Sequence, residues 1–485
     1  MSRALLAAVL VALCAAPATA APIPEGPAGD PPAFTGRAWT PEPVRAKTPP
    51  RHPFMAPNDR SNLHDDAWQT DTARGLGPLG HGTSSTSAFF AADCASVTFD
   101  TAGRIVTVCV GIAGPTLRML DPRTLDTLAE QTLPPRDPRT LAKLFTSFGG
   151  GGYFYLDNQD RAVVPTTTRH VQIYAETPAP GFELVRDIDL SRVVADGESI
   201  ISALPDWSGR IWFASTGGVV GYATGDGRIV SRALGEPVGN SFAVDEQGGV
   251  YIVSDAALYR FEARPGRVKT IWRRRYANIG IAKPGQSEKG SGTTPTLMGK
   301  KLVAITDNAD PMDVLVFKRA RRVKGRRLVC RQPVFAKGAS DTDQSLIATP
   351  RSMVVENNYG YTGPSSVMQG KTTTPGLARV NLRPRGRGCR VAWTSSEVAP
   401  SVVPKLSLGA GLVYTYTKGS DSHDPWFLTT LDFRTGKTVY KALAGSGLGY
   451  NNNYAPVTLG PDGTAYVGTL GGLVALRDTK VGAVK

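Results

Sequence analysis

The chain has 485 residues, of which 41% are hydrophobic and 20% are charged. This composition excludes a wholly disordered chain. Glycine and proline together contribute 53 and 37 residues, which is typical of a fold with many turns rather than of a helical bundle. The formal net charge of +14 indicates a basic surface.

The first twenty residues have the three parts of a secretory signal peptide. A basic start at Arg3 is followed by an apolar run from Ala4 to Ala16 and by the small residues Ala18-Thr19-Ala20. A membrane anchor needs about 20 apolar residues, and this run is shorter and ends at Pro17. We therefore predict cleavage after residue 20, with loss of Cys14, and a secreted or extracytoplasmic protein.

Four cysteines remain after residue 20, and an even number in an exported chain favours two disulfides. Cys94 and Cys109 stand at the open end of a predicted β-hairpin, so they are predicted to pair with each other. Cys330 and Cys389 are left as a long-range pair. The alternative of a metal site lacks any Cys-x-x-Cys spacing.

Residues 21–86 are predicted to form a Pro/Gly-rich linker and an N-terminal arm without a regular period. From residue 87 to residue 485 a unit of several short strands recurs every 35 to 55 residues or so, a spacing typical of β-propeller blades. One copy pairs Phe242–Asp245 with Gly249–Ile252, and another pairs Pro456–Leu459 with Gly463–Tyr466. We predict an all-β propeller of eight blades, with seven as the alternative.

Two segments near the C-terminus carry a family resemblance. Leu431–Lys437 (LDFRTGK) and Ala465–Leu476 (AYVGTLGGLVAL) resemble the repeats of the PQQ-like, or quinoprotein-dehydrogenase-like, β-propellers. The resemblance implies the fold far more than an activity. Quinoprotein dehydrogenases carry vicinal cysteines beside their quinone and this chain has none, so PQQ is not expected as a cofactor.

Polar residues are predicted to gather on the propeller face where the innermost strands begin and the second strands end. Their carboxylate and amide oxygens could hold calcium or a polar ligand. The alternative is that they only form turns. The predicted ligand or metal residues are Asn240, Asp307, Asn308, Glu356, Asn357 and Asn452.

Two basic stretches lie where the outer two strands of a blade connect, next to Cys330 and Cys389. They are predicted to form one patch on the opposite face that attracts an anionic envelope polymer or membrane surface, since export argues against nucleic acid. The alternative is a solvated loop that aids solubility. The predicted patch residues are Arg321, Arg322, Lys324, Arg326, Arg327, Arg385 and Arg387.

These observations predict an exported, monomeric propeller that binds a ligand or partner, without identifying a catalytic residue. A cation-assisted hydrolase or lactonase on the polar face is the alternative. A PQQ-type oxidoreductase is disfavoured by the missing vicinal cysteines.

Overall fold

The structure of the protein is a computed structural model that describes residues 20–27, 29–136, 149–386 and 388–480, without the side chain of Arg385. The predicted signal peptide therefore lies outside the described residues, except for Ala20. Within the described residues the fold is all-β, with three short 3-10 turns at Pro364–Val367, Pro384–Gly386 and Leu448–Tyr450. None of the described helices is long and apolar enough to cross a membrane.

The described residues form 34 strands. In chain order they are β1 (Phe34–Gly36), β2 (Thr72–Ala73), β3 (Thr83–Phe89), β4 (Ala92–Phe99), β5 (Ile105–Gly111), β6 (Gly114–Leu120), β7 (Thr127–Thr132), β8 (Tyr155–Leu156), β9 (Ala162–Pro165), β10 (His170–Glu176), β11 (Phe182–Asp189), β12 (Ile200–Pro205), β13 (Ile211–Ser215), β14 (Val219–Ala223), β15 (Ile229–Ala233), β16 (Ala243–Val244), β17 (Val250–Val253), β18 (Ala257–Arg264), β19 (Arg267–Arg275), β20 (Thr296–Met298), β21 (Leu302–Thr306), β22 (Asp313–Lys318), β23 (Leu328–Pro333), β24 (Ile347–Ala348), β25 (Ser352–Glu356), β26 (Leu377–Leu382), β27 (Cys389–Ser395), β28 (Lys405–Ser407), β29 (Leu412–Lys418), β30 (Pro425–Asp432), β31 (Thr438–Ser446), β32 (Val457–Leu459), β33 (Ala465–Thr469) and β34 (Gly472–Asp478).

These strands form eight sheets, antiparallel except for the pair β2–β28, which confirms the predicted eight-bladed β-propeller. Blades 1 to 6 are the successive four-strand meanders β4–β7, β8–β11, β12–β15, β16–β19, β20–β23 and β24–β27. Blade 7 is β28–β31, with β1 added at its outer edge and β2 at its inner edge. The second strand of a blade is largely buried, as in Ile211–Ser215, because neighbouring blades cover both faces of each sheet.

The propeller ring is closed by a strand from the N-terminal side of the chain. Blade 8 contains β32, β33 and β34 from the C-terminal end, and its outermost strand is β3. The register pairs Thr83 with Asp478 and Phe89 with Gly472. The predicted boundary between arm and propeller, at residue 86, falls inside this strand. The two ends of the propeller are thus held together by seven residue pairs of one antiparallel ladder.

A recurring aspartate turn joins the first and second strands of several blades. Asp206 Oδ1 accepts hydrogen bonds from the backbone N–H groups of Ser208 (2.8 Å) and Arg210 (3.2 Å), and Asp245 repeats the pattern in blade 4. Gly209 has a φ of 78°, a left-handed conformation that glycine adopts without strain. This geometry explains the Asp-x-x-Gly spacing that recurs in the sequence.

Both disulfides are present with the pairing expected from the sequence. Cys94–Cys109 joins β4 to β5 within blade 1. Cys330–Cys389 joins the outermost strands of blades 5 and 6, across 59 residues of sequence.

Candidate ligand site

Residues 60–73, called here the channel segment, cross the centre of the propeller. Backbone N–H groups of the innermost strands in six blades donate hydrogen bonds to carbonyl oxygens of this segment. Each pair is given with the N–H donor first and the carbonyl acceptor second: Phe99 and Arg60 (3.2 Å), Leu156 and Ser61 (2.8 Å), Val244 and Ala67 (2.8 Å), Leu297 and Trp68 (2.9 Å), Ala348 and Thr70 (2.9 Å), and Leu406 and Asp71 (3.0 Å). Most of these donors are the last residues of their strands. The segment therefore closes the channel at the end opposite to the face where the innermost strands begin.

A buried ionic cluster fixes the channel segment to blade 7. Lys405 Nζ lies 2.6 Å from Asp71 Oδ1 and 3.2 Å from Asp65 Oδ2, and it also donates to the carbonyl oxygen of Leu63. The side chains of Lys405 and Asp71 are fully buried. Burial alone would lower the pKa of Lys405, but the two carboxylates raise it above its ordinary value. Lys405 is therefore a permanent buried cation.

His64 is held by the same cluster. Its Nδ1 lies 3.1 Å from both carboxylate oxygens of Asp71, while Ser345 Oγ donates to Asp71 Oδ2 at 2.6 Å. Because a carboxylate only accepts hydrogen bonds, Nδ1 carries the ring proton. Burial lowers the pKa of His64 despite the nearby Asp71, so the imidazole is neutral at neutral pH. Its other nitrogen, Nε2, is buried and has no hydrogen-bond partner among the described residues.

A cavity of about 450 Å³ lies above the channel segment, at the face where the innermost strands begin. Leu63 and His64 of the channel segment line it. The walls come from the loops that enter the innermost strands of blades 1, 2, 6, 7 and 8, with Asp93, Tyr153, Asp343, Val403 and Asn453 among the lining residues. The cavity is thus open toward one face of the propeller and bounded below by the channel segment.

The rim of the cavity is apolar. Phe89, Ile112 and Leu448 line the cavity and are 41%, 84% and 46% exposed. Large exposed apolar side chains that surround a concave site are typical of a surface that contacts a ligand. Val110 and Leu470 extend the apolar lining inward from the rim.

Two acidic residues of the wall, Asp343 and Asp93, have pKa values that burial raises. Asp343 Oδ2 accepts hydrogen bonds from the backbone N–H (3.1 Å) and the hydroxyl (2.6 Å) of Ser287, whereas Oδ1 is buried without a partner among the described residues. Burial raises the pKa of Asp343 to about 7. In Asp93, burial raises the pKa to about 8, although a hydrogen bond from Asn453 and the charge of Arg136 lower it in part. Asp93 Oδ1 is likewise buried and unpartnered within the described chain.

Of the six residues predicted to bind a ligand or metal, Glu356 ends strand β25 and the other five lie in loops, and none of the six lines the cavity. No hydrogen bond joins two of the six to each other in the described part of the chain. Asn240 Oδ1 accepts a hydrogen bond from Tyr153 Oη at 3.1 Å, so it supports a cavity residue from behind. Asn452 accepts from Ser401 at 3.4 Å and donates to the carbonyl oxygen of Ala455.

The remaining four of these residues hold neighbouring loops together. Asp307 accepts from the backbone N–H groups of Ala309 and Asp313, and the amide of Asn308 donates to the carbonyl oxygens of Ile281 and Lys289. The amide of Asn357 donates to the carbonyl oxygens of Ala339 and Pro375. Glu356 Oε1 accepts from the amide of Asn358, and burial raises the pKa of Glu356 well above its ordinary value.

The described residues contain no group of three or more His, Cys, Asp or Glu side chains that could hold a metal ion. Calcium binding by the six residues therefore stays a prediction. The lining residues of the cavity that carry a buried, unpartnered acceptor are others: His64, Asp93 and Asp343. Asp343 lies in the loop that enters the innermost strand β24, which begins at Ile347, so the rule that selected Asn240 could have selected it. His64 lies in an aperiodic segment, and no sequence pattern places it in the channel.

The basic stretch of blade 5 is divided between structural and exposed side chains. Arg327 is 6% exposed, donates to the carbonyl oxygens of Lys318 and Ala320, and stacks 4.6 Å from the ring centre of Trp272. Arg321 pairs with Glu262 at 2.6 Å. Arg322, Lys324 and Arg326 are exposed and make no salt bridge with a described residue. Arg387 and the side chain of Arg385 lie outside the described residues.

Comparisons with known proteins support the fold and leave the activity open. No protein-family profile matches the chain. A protein of uncharacterised function from Archaeoglobus fulgidus is 28% identical over 319 residues, which are 58% of this chain and 62% of that protein. The chain therefore matches less than two thirds of this relative's length.

A europium-containing methanol dehydrogenase has a similar structure, with a TM-score of 0.55 and 12% identity over 86% of this chain and 98% of that one. This likeness confirms the resemblance to quinoprotein-type propellers at the level of the fold. A streptogramin B lyase covers 85% of this chain and 99% of its own, at 8% identity and a TM-score of 0.40, and we base no argument on it.

Proposed function

We propose that this protein is a ligand-binding β-propeller that takes a small organic molecule into the cavity above the channel segment. The observation that carries the proposal is the cavity itself. It has a volume of about 450 Å³, an apolar rim and a few convergent polar groups. This combination is typical of small-molecule sites, which usually have volumes of about 300–1,000 Å³. We further propose that the protein is exported, which is supported by the leader sequence and by the two disulfides.

The first test of the proposed function uses the neutral apolar dye Nile red. We expect its fluorescence to rise on binding to the purified protein, and Ile112→Asp to weaken binding at least about tenfold because it places a charge in the apolar rim. Ile281→Asp is the matched control, since Ile281 is 57% exposed and does not line the cavity. Unchanged binding in Ile112→Asp, or no binding by the wild-type protein, would contradict the proposal.

A second function, binding of an anionic polymer or membrane surface, is supported by the exposed side chains of Arg322, Lys324 and Arg326. Cys330–Cys389 holds the hairpin that carries them beside the basic hairpin of blade 6. The triple change to Ala should weaken binding to anionic liposomes and alter stability by less than about 0.5 kcal/mol. Binding should also fall as salt rises, since these charges are exposed. Salt-insensitive binding would contradict this second function.

A further inference from the structure

Three residues that line one cavity each carry a buried hydrogen-bond acceptor without a donor. These acceptors are His64 Nε2, Asp93 Oδ1 and Asp343 Oδ1, and each is unpartnered within the described residues. Buried polar atoms in native proteins nearly always have a partner, so these three acceptors are candidates for donors that a ligand supplies. His64 is 2% exposed and Asp343 is 4% exposed, which makes both of them built parts of the wall rather than mobile surface groups.

The charges around the cavity favour a positive ligand. The ionisable lining residues are His64, Asp93, Arg136, Tyr153, Asp343 and Tyr454. His64 is neutral, and the pKa values of both tyrosines are raised, so among the described lining residues Asp93 and Asp343 face one permanent cation, Arg136. Behind the wall, Asp71 is balanced by Lys405, whereas Asp341 and Glu288 add negative charge near Asp343 when they are ionised. When both wall carboxyls ionise, the described lining residues carry one more negative charge than positive charges.

We propose that the ligand is a primary organic amine, bound as its ammonium ion, with an apolar body that contacts the rim. This inference rests on the proposed function, because it names the class of molecule that enters the same cavity. An ammonium group has three N–H donors and no acceptor, which matches three unpartnered acceptors. The rings of Tyr153 and Tyr454 also line the cavity, and aromatic faces attract cations. The apolar remainder of the molecule would lie against Val110, Val403 and Leu470.

The proposal predicts a pH dependence that a neutral ligand would not show. The carboxyls of Asp93 and Asp343 have raised pKa values of about 8 and about 7, so part of the protein carries protons there at neutral pH. An ammonium ion binds best when both are ionised. Affinity for the amine should therefore rise between pH 6 and pH 8. The neutral His64, the balanced pair Asp71 and Lys405, and the permanent cation Arg136 keep their charges over this range. Burial raises the pKa of Asp341 to about 7, so this neighbour of Asp343 ionises over the same range and adds to the rise in affinity.

The test compares two probes of nearly equal size, phenethylamine and 2-phenylethanol, as competitors of bound Nile red at pH 8. We expect the amine to displace the dye at a concentration at least about tenfold lower, as charge-assisted hydrogen bonds require. Asp343→Asn and Asp93→Asn should each reduce this preference, while Asp226→Asn, an exposed control, should leave it unchanged.

The outcomes separate this inference from the proposed function. Dye binding with equal competition by the two probes, or stronger competition by the alcohol, would overturn the amine and leave the cavity as a ligand site. Dye binding that neither probe reduces would also overturn the amine. Failure of the dye and both probes to bind would overturn both. If the Asp343 variant does not fold, the rise in amine affinity from pH 6 to pH 8 in the wild-type protein decides, and a flat profile contradicts the inference.

Discussion

The channel contains two groups of buried carboxylates that differ in whether the protein supplies a close cation. In the channel segment, Asp71 contacts Lys405 Nζ at 2.6 Å and His64 Nδ1 at 3.1 Å. Burial would raise the pKa of Asp71, but these partners lower it below its ordinary value. In the cavity wall, Ser287 is the one described residue that donates hydrogen bonds to the carboxylate of Asp343, and burial raises the pKa of Asp343 to about 7. The contrast shows that burial alone does not determine the charge of a carboxylate.

This difference separates structural charges from those available to a ligand. The charges of the channel segment are neutralised within the fold and hold that segment in place. The carboxyls of Asp343 and Asp93 in the wall have raised pKa values, and each has one buried oxygen without a partner among the described residues. A cation that enters the cavity would stabilise the ionised carboxylates of Asp343 and Asp93, as Lys405 stabilises the ionised carboxylate of Asp71.

The largest expected effect is the loss of the internal cation. Lys405→Met removes the charge and leaves Asp71 and Asp65 buried, so we expect the free energy of unfolding to fall by about 3–5 kcal/mol. Lys437→Met, the same change at an exposed lysine, should alter stability by less than about 0.5 kcal/mol. Urea unfolding of the two variants measures the difference. If the free energy of unfolding falls by less than about 1 kcal/mol in Lys405→Met, the contrast between the stabilised carboxylate of Asp71 and that of Asp343 is contradicted.

A second substitution tests whether the charge, rather than packing, causes that loss. In the Lys405→Met background, Asp71→Asn removes the uncompensated carboxylate. We expect it to recover at least about 1 kcal/mol, within the usual coupling range of contacting residues. In the wild-type background the same change should destabilise the protein, because it leaves Lys405 short of one partner. A double-mutant cycle by urea unfolding gives both values, and additivity would show that packing dominates.

Glu356 shows how a buried carboxyl behaves without a cation nearby. Burial raises its pKa well above the ordinary value, so the folded state keeps a proton that the unfolded state releases. The stability of the wild-type protein therefore falls as pH rises above the ordinary glutamate pKa of about 4.3. Glu356→Gln removes this loss and should stabilise the protein by about 1 kcal/mol or more at pH 8, with less effect at pH 5. Melting temperatures at both pH values measure the change, and a stabilisation that shrinks with pH would contradict the assignment.

The smallest expected stability effect is at Asp343 in the cavity wall. With a pKa raised to about 7, this group lowers stability as pH rises from its ordinary pKa of about 3.9 to about 7. Asp343→Asn should therefore raise the free energy of unfolding by about 1 kcal/mol at pH 8. Saturating phenethylamine should abolish or reverse this advantage, because only the wild-type carboxylate pairs with the ammonium. An advantage that persists with the amine would contradict the proposed ligand class.

The repeat pattern was enough to predict the propeller and its eight blades. It worked because blade turns are local: Asp206 and Gly209 specify their hairpin within four residues. The disulfide pairing followed from the hairpin at Cys94 and Cys109 and from the two cysteines that then remained. These features depend on short stretches of sequence and on a repeated geometry.

The channel segment could not be predicted, because its partners are distributed over six blades. Its carbonyl groups accept hydrogen bonds from residues as distant along the sequence as Leu406, and no repeat pattern in the sequence predicts such contacts. The closing strand β3 was missed for the same reason, since its partner β34 is almost 400 residues away. The basic stretch looked uniform in sequence, yet Arg327 is buried against Trp272 while Arg326 is exposed. Only tertiary packing separates these two arginines.

The most direct measurement is a crystal structure of the protein with phenethylamine bound at pH 8. The account predicts the ammonium nitrogen within about 3.2 Å of Asp343 Oδ1 or Asp93 Oδ1, and directed toward His64, with the phenyl ring against the apolar rim. An amine nitrogen at the rim beside Ile112 and Leu448, with the ring buried among the carboxyls, would contradict the account. An empty cavity at saturating amine would contradict it as well.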